Sequence, residues 1–325
     1  MQRFFCRWAK SLGELESSHQ GAWGTLEYDW KKHRNQPTVF FGLYDLRDYI
    51  ALWWHKGKKW VLWAGSDIRN LRSNFIFNDG KLLWLSQLFS SRGESFRDFL
   101  IRRVLSKAEH WVENEAEAWQ LKDMGLKVSG IRPSFLGNIK KYKVSFRPGN
   151  KVYISASKKR EAEYGWPIIL QIAWALPQVE FHLYGSDWDW IDVKKDQYTP
   201  GYVIQRQGIT WKDFYPNIII HGRISKEKMN RQIKNMQCGL RLNKHDGFSE
   251  ITAKSVLWGQ YPITYLYHPN ISQFAADNHG LPNTANNLRK LVELLKQIPK
   301  KKKPNYSPRD WYIANLNRYP WVHDH

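Results

Sequence analysis

Short apolar runs recur along the chain, each followed by a longer stretch in which apolar positions return every three or four residues. In the first half VFFGLY (39–44), KWVLWAG (59–65), AEHWVEN (108–114) and VSGIRPSF (128–135) read as strands. In the second half KVYISAS (151–157), VEFHLYG (179–185), NIIIHGRI (217–224), CGLRLN (238–243) and YPITYL (261–266) read the same way. Between them ESFRDFLIRRVLSK (94–107), PIILQIAWALP (167–177) and KEKMNRQIKNM (226–236) carry helical periodicity. Strands that alternate with helices predict parallel sheets built from βαβ units. Two such sheets are expected, a first domain over 1–140 and a second over 141–308. They are joined around the polar, basic GNIKKYKVSFRPGN (137–150). Residues 1–36 are expected to form a helical lead-in, and RDWYIANLNRYPW opens a terminal segment, 309–325, expected to pack back as a helix across both domains.

At 325 residues, 42% of them hydrophobic, the chain is long enough for two ordinary cores. Cys6 and Cys238 are the two cysteines and show no metal-type spacing, which points to a reducing compartment. No apolar run has the length of a membrane span, and MQRFFCRWAK lacks the apolar core of a signal peptide. The expectation is a soluble, unexported protein, cytoplasmic and peripheral at the inner membrane face, or in the host cytoplasm if viral.

Charge changes that picture. The formal charge is +20, with 25 Lys and Arg against 15 Asp and Glu in residues 1–150 and the same balance in 151–325. A field spread so evenly favours an anionic partner, either a membrane surface or a polyanion. The aromatic content, 18 Trp, 16 Tyr and 15 Phe, suits cores but also sugar rings and bases. In WWHKGKKW (53–60) Trp stands beside Lys, a composition suited to an anionic membrane surface. IPKKKKPNYSP (298–308) is a basic, proline-flanked loop.

The densest candidate chemistry lies in KHDGFSEITAKSVLWGQYPIT, residues 244–264. An apolar strand ends in a turn carrying Asp246 and Gly247, and Ser249 stands where it can cap the helix that follows. Helix starts present unpaired N–H groups, and ligands of parallel α/β sheets sit beyond the C-terminal strand ends. Asp246, the backbone of Gly247 to Ser249, and Glu250 are therefore candidate ligand contacts. SDWDWID (186–192) contains Asp187-Trp188-Asp189, paired carboxylates of the kind that hold a divalent cation bridging a diphosphate. It is read as a surface loop, and the 11 histidines form no ligand cluster, so no metal site is expected.

Asp246-Gly247-Phe248-Ser249 resembles the signature of retaining GT-B glycosyltransferases (group 1, family 4-like), in which acid–Gly–Phe–Gly opens a helix carrying a second acid. The second acidic position falls on Lys254 here, so either Lys254 reaches a phosphate or Glu250 supplies the carboxylate. KVYISASKKREAEYGWPIILQIAWALPQVEFHLYG resembles the opening of the family's donor domain. Lys159 stands near the family's Arg, Tyr164 aligns with its Lys, and Lys158 and Arg160 are substitutes for binding the diphosphate. IIIHGRISKEKMNRQIKNM resembles the segment beside the nucleotide base, which assigns His221, Gly222 and Arg223 to the base pocket. VLWAGSDIRNL resembles the strand ending in Gly-Ser-Asp, which puts Gly65 and Ser66 on the acceptor side and makes Asp67, which orients the acceptor, a catalytic residue together with Asp246. Where many relatives carry a His before this glycine, Trp63 and Ala64 stand here.

The resemblance implies an α/β GT-B fold, two Rossmann-like parallel-sheet domains facing each other across a cleft, with a hinge near 137–150. It implies a hexosyltransferase that takes sugar from a UDP- or GDP-sugar with retention, with Gly247, Phe248, Ser249 and Glu250 on the donor sugar and no obligatory metal or cofactor. The expected partners are the nucleotide sugar and an anionic acceptor, with no obligate protein partner. An envelope glycan or lipid precursor is the acceptor favoured. Two alternatives remain open: duplex DNA with a hydroxymethylated base, as in phage-type DNA glycosyltransferases, and a non-catalytic sugar- or nucleotide-binding module.

Overall fold

The computed structural model describes residues 3–12, 19–73, 95–155, 164–185, 215–243, 246–265, 268, 270–272 and 285–322. The chain divides into two compact units, each built on a parallel sheet. Met1–Asn138, His245–Phe248 and Asn315–His325 form one, and Ile139–Lys244 with Ser249–Ala314 form the other.

The first sheet contains β1 (Phe5–Trp8), β2 (Leu26–Glu27), β3 (Thr38–Phe41), β4 (Lys59–Leu62), β5 (Glu109–Val112) and β6 (Val128–Ile131), in the order β2-β1-β3-β4-β5-β6. All its pairings are parallel. Every residue of β3 is buried, as expected of a central strand covered on both faces. Helices α1 (His19–Trp23), α2 (Leu46–Trp54), α3 (Ser66–Arg72), α4 (Phe96–Arg103) and α5 (Glu115–Asp123) belong to the same unit. Local capping sets their starts. Asp45 and Asp48 close a capping box on α2, Ser95 caps α4, and the Asn114 side chain accepts from Glu117 N to begin α5.

The expected helical lead-in over 1–36 is corrected here. It holds the strands β1 and β2 as well as the short α1, with β1 pairing directly to β3 from Phe5 opposite Thr38 to Trp8 opposite Phe41. Phe5 and Cys6 are buried, and Arg7 turns its guanidinium onto the buried Asp48 carboxylate. A strand this short, flanked by cations, leaves little alternation to read.

The second sheet contains β7 (Lys151–Ser155), β8 (Glu180–Tyr184), β9 (Ile218–Gly222), β10 (Cys238–Arg241) and β11 (Ile263–Thr264), ordered β11-β10-β7-β8-β9 and parallel throughout. With it go α6 (Trp166–Ala175), α7 (Lys226–Ile233), α8 (Glu250–Leu257), α9 (Ala285–Lys296) and α10 (Tyr306–Asn315). Its core joins Val152 and Ile154 of β7, Phe181 and Leu183 of β8, Leu240 of β10 and Leu291 and Leu295 of α9. Gly165 lets the chain enter α6 in a left-handed conformation, φ 80°, where a methyl group would lie 2.5 Å from the Leu242 side chain. Among the described residues no helix is long and apolar enough to cross a membrane.

Candidate functional site

After β4 the chain runs through Trp63 and Ala64 into Gly65, whose φ of 87° starts α3 without a side-chain cap. The Asp67 carboxylate serves the turn instead. It accepts from Ala64 N at 3.1 Å, Ile68 N at 2.9 Å and Leu43 N at 3.0 Å. Asp67 is fully buried, and burial pushes its pKa up to about 6 against the pull of those hydrogen bonds. This carboxylate ties the β3–α2 loop to the β4–α3 turn, which is the work of a positioning group. Ser66 Oγ donates to the Tyr44 hydroxyl at 3.3 Å. Trp63 points into the core and donates its indole N–H to His110 Nδ1 at 3.2 Å.

The next strand end supplies residues that sequence reasoning missed. β5 gives way to Glu113 and Asn114, both buried. Glu113 Oε2 accepts from Phe248 N at 2.7 Å, and its other oxygen takes the Ser134 hydroxyl. Asn114 Nδ2 donates to the carbonyls of Asp246 at 2.9 Å and Gly247 at 3.4 Å. Asp246-Gly247-Phe248 is thus held along the C-terminal ends of β4 and β5, with its backbone satisfied by side chains of the same unit. The signal was present in WVENEAE: Asn114 followed by Glu117 has the spacing of a helix cap, which ends the strand before 114.

Two glycines make this docking possible. A methyl group on Gly247 would lie 1.9 Å from Glu113 Oε2, and one on Gly65 would lie 2.7 Å from the Asp246 carbonyl carbon. The close approach that Gly247 permits is therefore to the Glu113 carboxyl group. Phe248 is buried, while Asp246 and Gly247 are partly exposed.

The carboxyl groups here act on one another. Burial raises Glu113 to about 8, and the nearby Asp246 charge adds to the shift. Glu117, whose Oε2 accepts from Glu113 N at 2.8 Å, is raised well above the carboxylate range, first by burial and then by Glu113. Among the described residues no group of three or more His, Cys, Asp or Glu is placed to hold a metal ion.

In the second unit Ser249 caps α8, accepting from Thr252 N at 3.1 Å. Lys254 is buried and its ammonium lies 3.3 Å from Glu250, which also faces Lys226 at 3.6 Å. At the end of β9 the His221 ring lies parallel to Tyr184, 4.3 Å between centroids, and its Nε2 is 2.9 Å from His182 Nδ1. Desolvation and the His221 charge lower His182 to about 4, and desolvation lowers His221. Gly222 adopts φ 62° and accepts from Gly185 N at 2.9 Å, while Arg223 is exposed. Lys158, Lys159 and Arg160, and likewise Asp187 and Asp189, lie outside the described residues.

No family model matches the sequence, and no curated protein matches it either. Solved structures do. TarM of S. aureus superposes with a TM-score of 0.51 at 12% identity, over 87% of this chain and 52% of TarM. HepE of Anabaena gives 0.52 at 12% identity, over 88% of this chain and 76% of HepE. The sucrose-phosphate synthase of Thermosynechococcus elongatus gives 0.51 at 11% identity, over 86% and 69%. The chain spans about half the length of TarM. At such identities the likeness concerns the path of the chain, and it agrees with the sheets described above: two parallel-sheet α/β domains with the GT-B fold of these glycosyltransferases.

Proposed function

We propose that this protein is a glycosyltransferase that moves a hexose from a nucleotide-diphosphate sugar to an anionic acceptor, with retention at the anomeric carbon. The observation that carries the reading is the docking of Asp246-Gly247-Phe248 at the C-terminal ends of β4 and β5. An acid with adjacent backbone groups is presented there, at the end of the sheet where α/β proteins place ligands. A UDP-sugar is the donor proposed, since HepE, which shares the fold, was crystallised with UDP-glucose and TarM with UDP.

In this reading Asp246 binds hydroxyls of the donor sugar, and Asp67 and Glu113 hold the loops that present it. Of the two roles open at α8, the structure favours Glu250 as the carboxylate for the nucleotide ribose. Its side chain is partly exposed, while Lys254, almost wholly buried, orients it. His221, Gly222 and Arg223 are the proposed base contacts, His221 having its ring already ordered against Tyr184. Lys158, Lys159 and Arg160 are the proposed counter-charges for the departing diphosphate, so the transfer needs no metal. The acceptor proposed is an envelope glycan or lipid precursor.

A mass-spectrometric screen of UDP- and GDP-sugars against soluble glycans, lipid extracts and hydroxymethylated DNA tests this reading. Sugar-bearing glycan or lipid product is expected. Product on DNA alone would replace the acceptor, and no nucleotide release from any donor would make the chain a binding module.

A further inference from the structure

The first unit carries a concavity at the other end of its sheet. Lys59 begins β4 and Lys107 lies just before β5, whereas Gly65 and Glu113 follow the opposite ends of those strands. Here a cavity of about 540 Å³ is lined by Arg34, Trp53, Trp54, Lys56, Lys59 and Lys107, with no carboxylate among the described residues of its wall. Lys59 Nζ donates to the carbonyls of Leu52 at 3.1 Å and His55 at 2.6 Å, so it closes the C-terminal end of α2 from inside the cavity. Desolvation and the Lys107 charge both lower its pKa, as expected of cations gathered together.

The rim is apolar in a particular way. Ile50, Trp53 and Trp54 are 50%, 59% and 43% exposed, and their spacing along α2 places them on one helix face. Arg34 lays its guanidinium 3.8 Å from the centre of the Trp54 ring and donates to Trp54 O at 2.7 Å. Arg47 extends the same face, one turn before Ile50.

We propose that this face of α2 and the cationic cavity beside it dock on the surface of a bilayer containing anionic phospholipid, the cavity taking a phosphate headgroup. Two features favour lipid over a nucleic-acid strand. One face of Trp54 is already covered by Arg34, which removes a platform on which a base would stack. Ile50 offers no stacking surface at all, yet it stands exposed beside the indoles, where an interfacial helix carries its aliphatic anchors. Amphipathic indoles and long cationic side chains both partition to the headgroup region, and each Lys or Arg gains from the negative surface potential. The inference names the anionic surface of the reading above and rests on that reading only for its purpose. Vesicle binding is measured without donor, so either can fail alone.

The test sediments the full chain with vesicles of phosphatidylcholine, alone or mixed with phosphatidylglycerol, at fixed ionic strength. Wild type is expected to bind the mixed vesicles selectively. Lys56→Glu with Lys107→Glu should weaken that partition by at least about tenfold. Trp53→Ser should weaken it severalfold, and both proteins should keep the wild-type melting temperature, since the altered side chains are at the surface. Equal binding to both vesicle types, or variants that partition like wild type, would overturn the proposal. So would tighter retention of a single-stranded oligonucleotide through the same residues.

Discussion

Gly247 has no room for a methyl group. Its replacement by Ala would drive Cβ into the Glu113 carboxyl group, 1.9 Å away, so the Asp246–Phe248 backbone must shift. Such overpacking costs about 1–3 kcal/mol, and a displacement near 1 Å at a site that positions substrate lowers turnover by about 100-fold. Thermal unfolding and the rate of nucleotide release check the two effects. Glu113 separates shape from charge. Glu113→Gln keeps an acceptor for Phe248 N and is expected to fold normally. Glu113→Ala removes the acceptor of that N–H and of the Ser134 hydroxyl, and should cost about 1–3 kcal/mol in urea unfolding. None of this was legible in the sequence. Asp246 and Gly247 stood out for their place at a helix mouth, but their partners lie about 130 residues away in the chain.

Among the elements, the strands from β3 onward were legible as short apolar runs, and α4, α6 and α7 from helical periodicity. The limits came where the pattern was short or capped. β1 is four residues long between cations, and the strand read through Asn114 stops at Val112 because Asn114 caps α5. The head of α8 yields a prediction at this scale. Lys254→Met keeps the Glu250 contact with Lys226 and fills the buried volume with an apolar chain. The helix should survive with a change within about 1.5 kcal/mol, while affinity for UDP falls severalfold as Glu250 loses its orientation. Calorimetric titration with UDP reads this, and unchanged affinity would remove Lys254 and Glu250 from the nucleotide site.

For the molecule as a whole, the buried carboxyl groups of the first unit set a direction in pH. Glu113, raised to about 8, and Glu117, raised further, keep their protons in the folded state after the unfolded chain has lost them. Stability they supply at low pH is therefore lost as pH rises through the folded values, and the slope stays visible above the ordinary histidine range. Lowered histidines, His55 and His110 at about 4, act below that range and in the opposite sense. Unfolding midpoints in urea should fall between about pH 6.5 and 8, less steeply in Glu113→Gln. The two-sheet architecture was legible from the alternation of strands and helices, whereas no composition or spacing reports the carboxyl cluster that the first sheet gathers. The most direct measurement of the proposed activity is release of UDP from UDP-sugars in the presence of candidate acceptors, wild type against Asp246→Asn. Release by the wild type and a loss of about 100-fold or more in the variant are predicted. No release from any donor, or equal rates in the two proteins, would contradict a sugar-transfer site at Asp246.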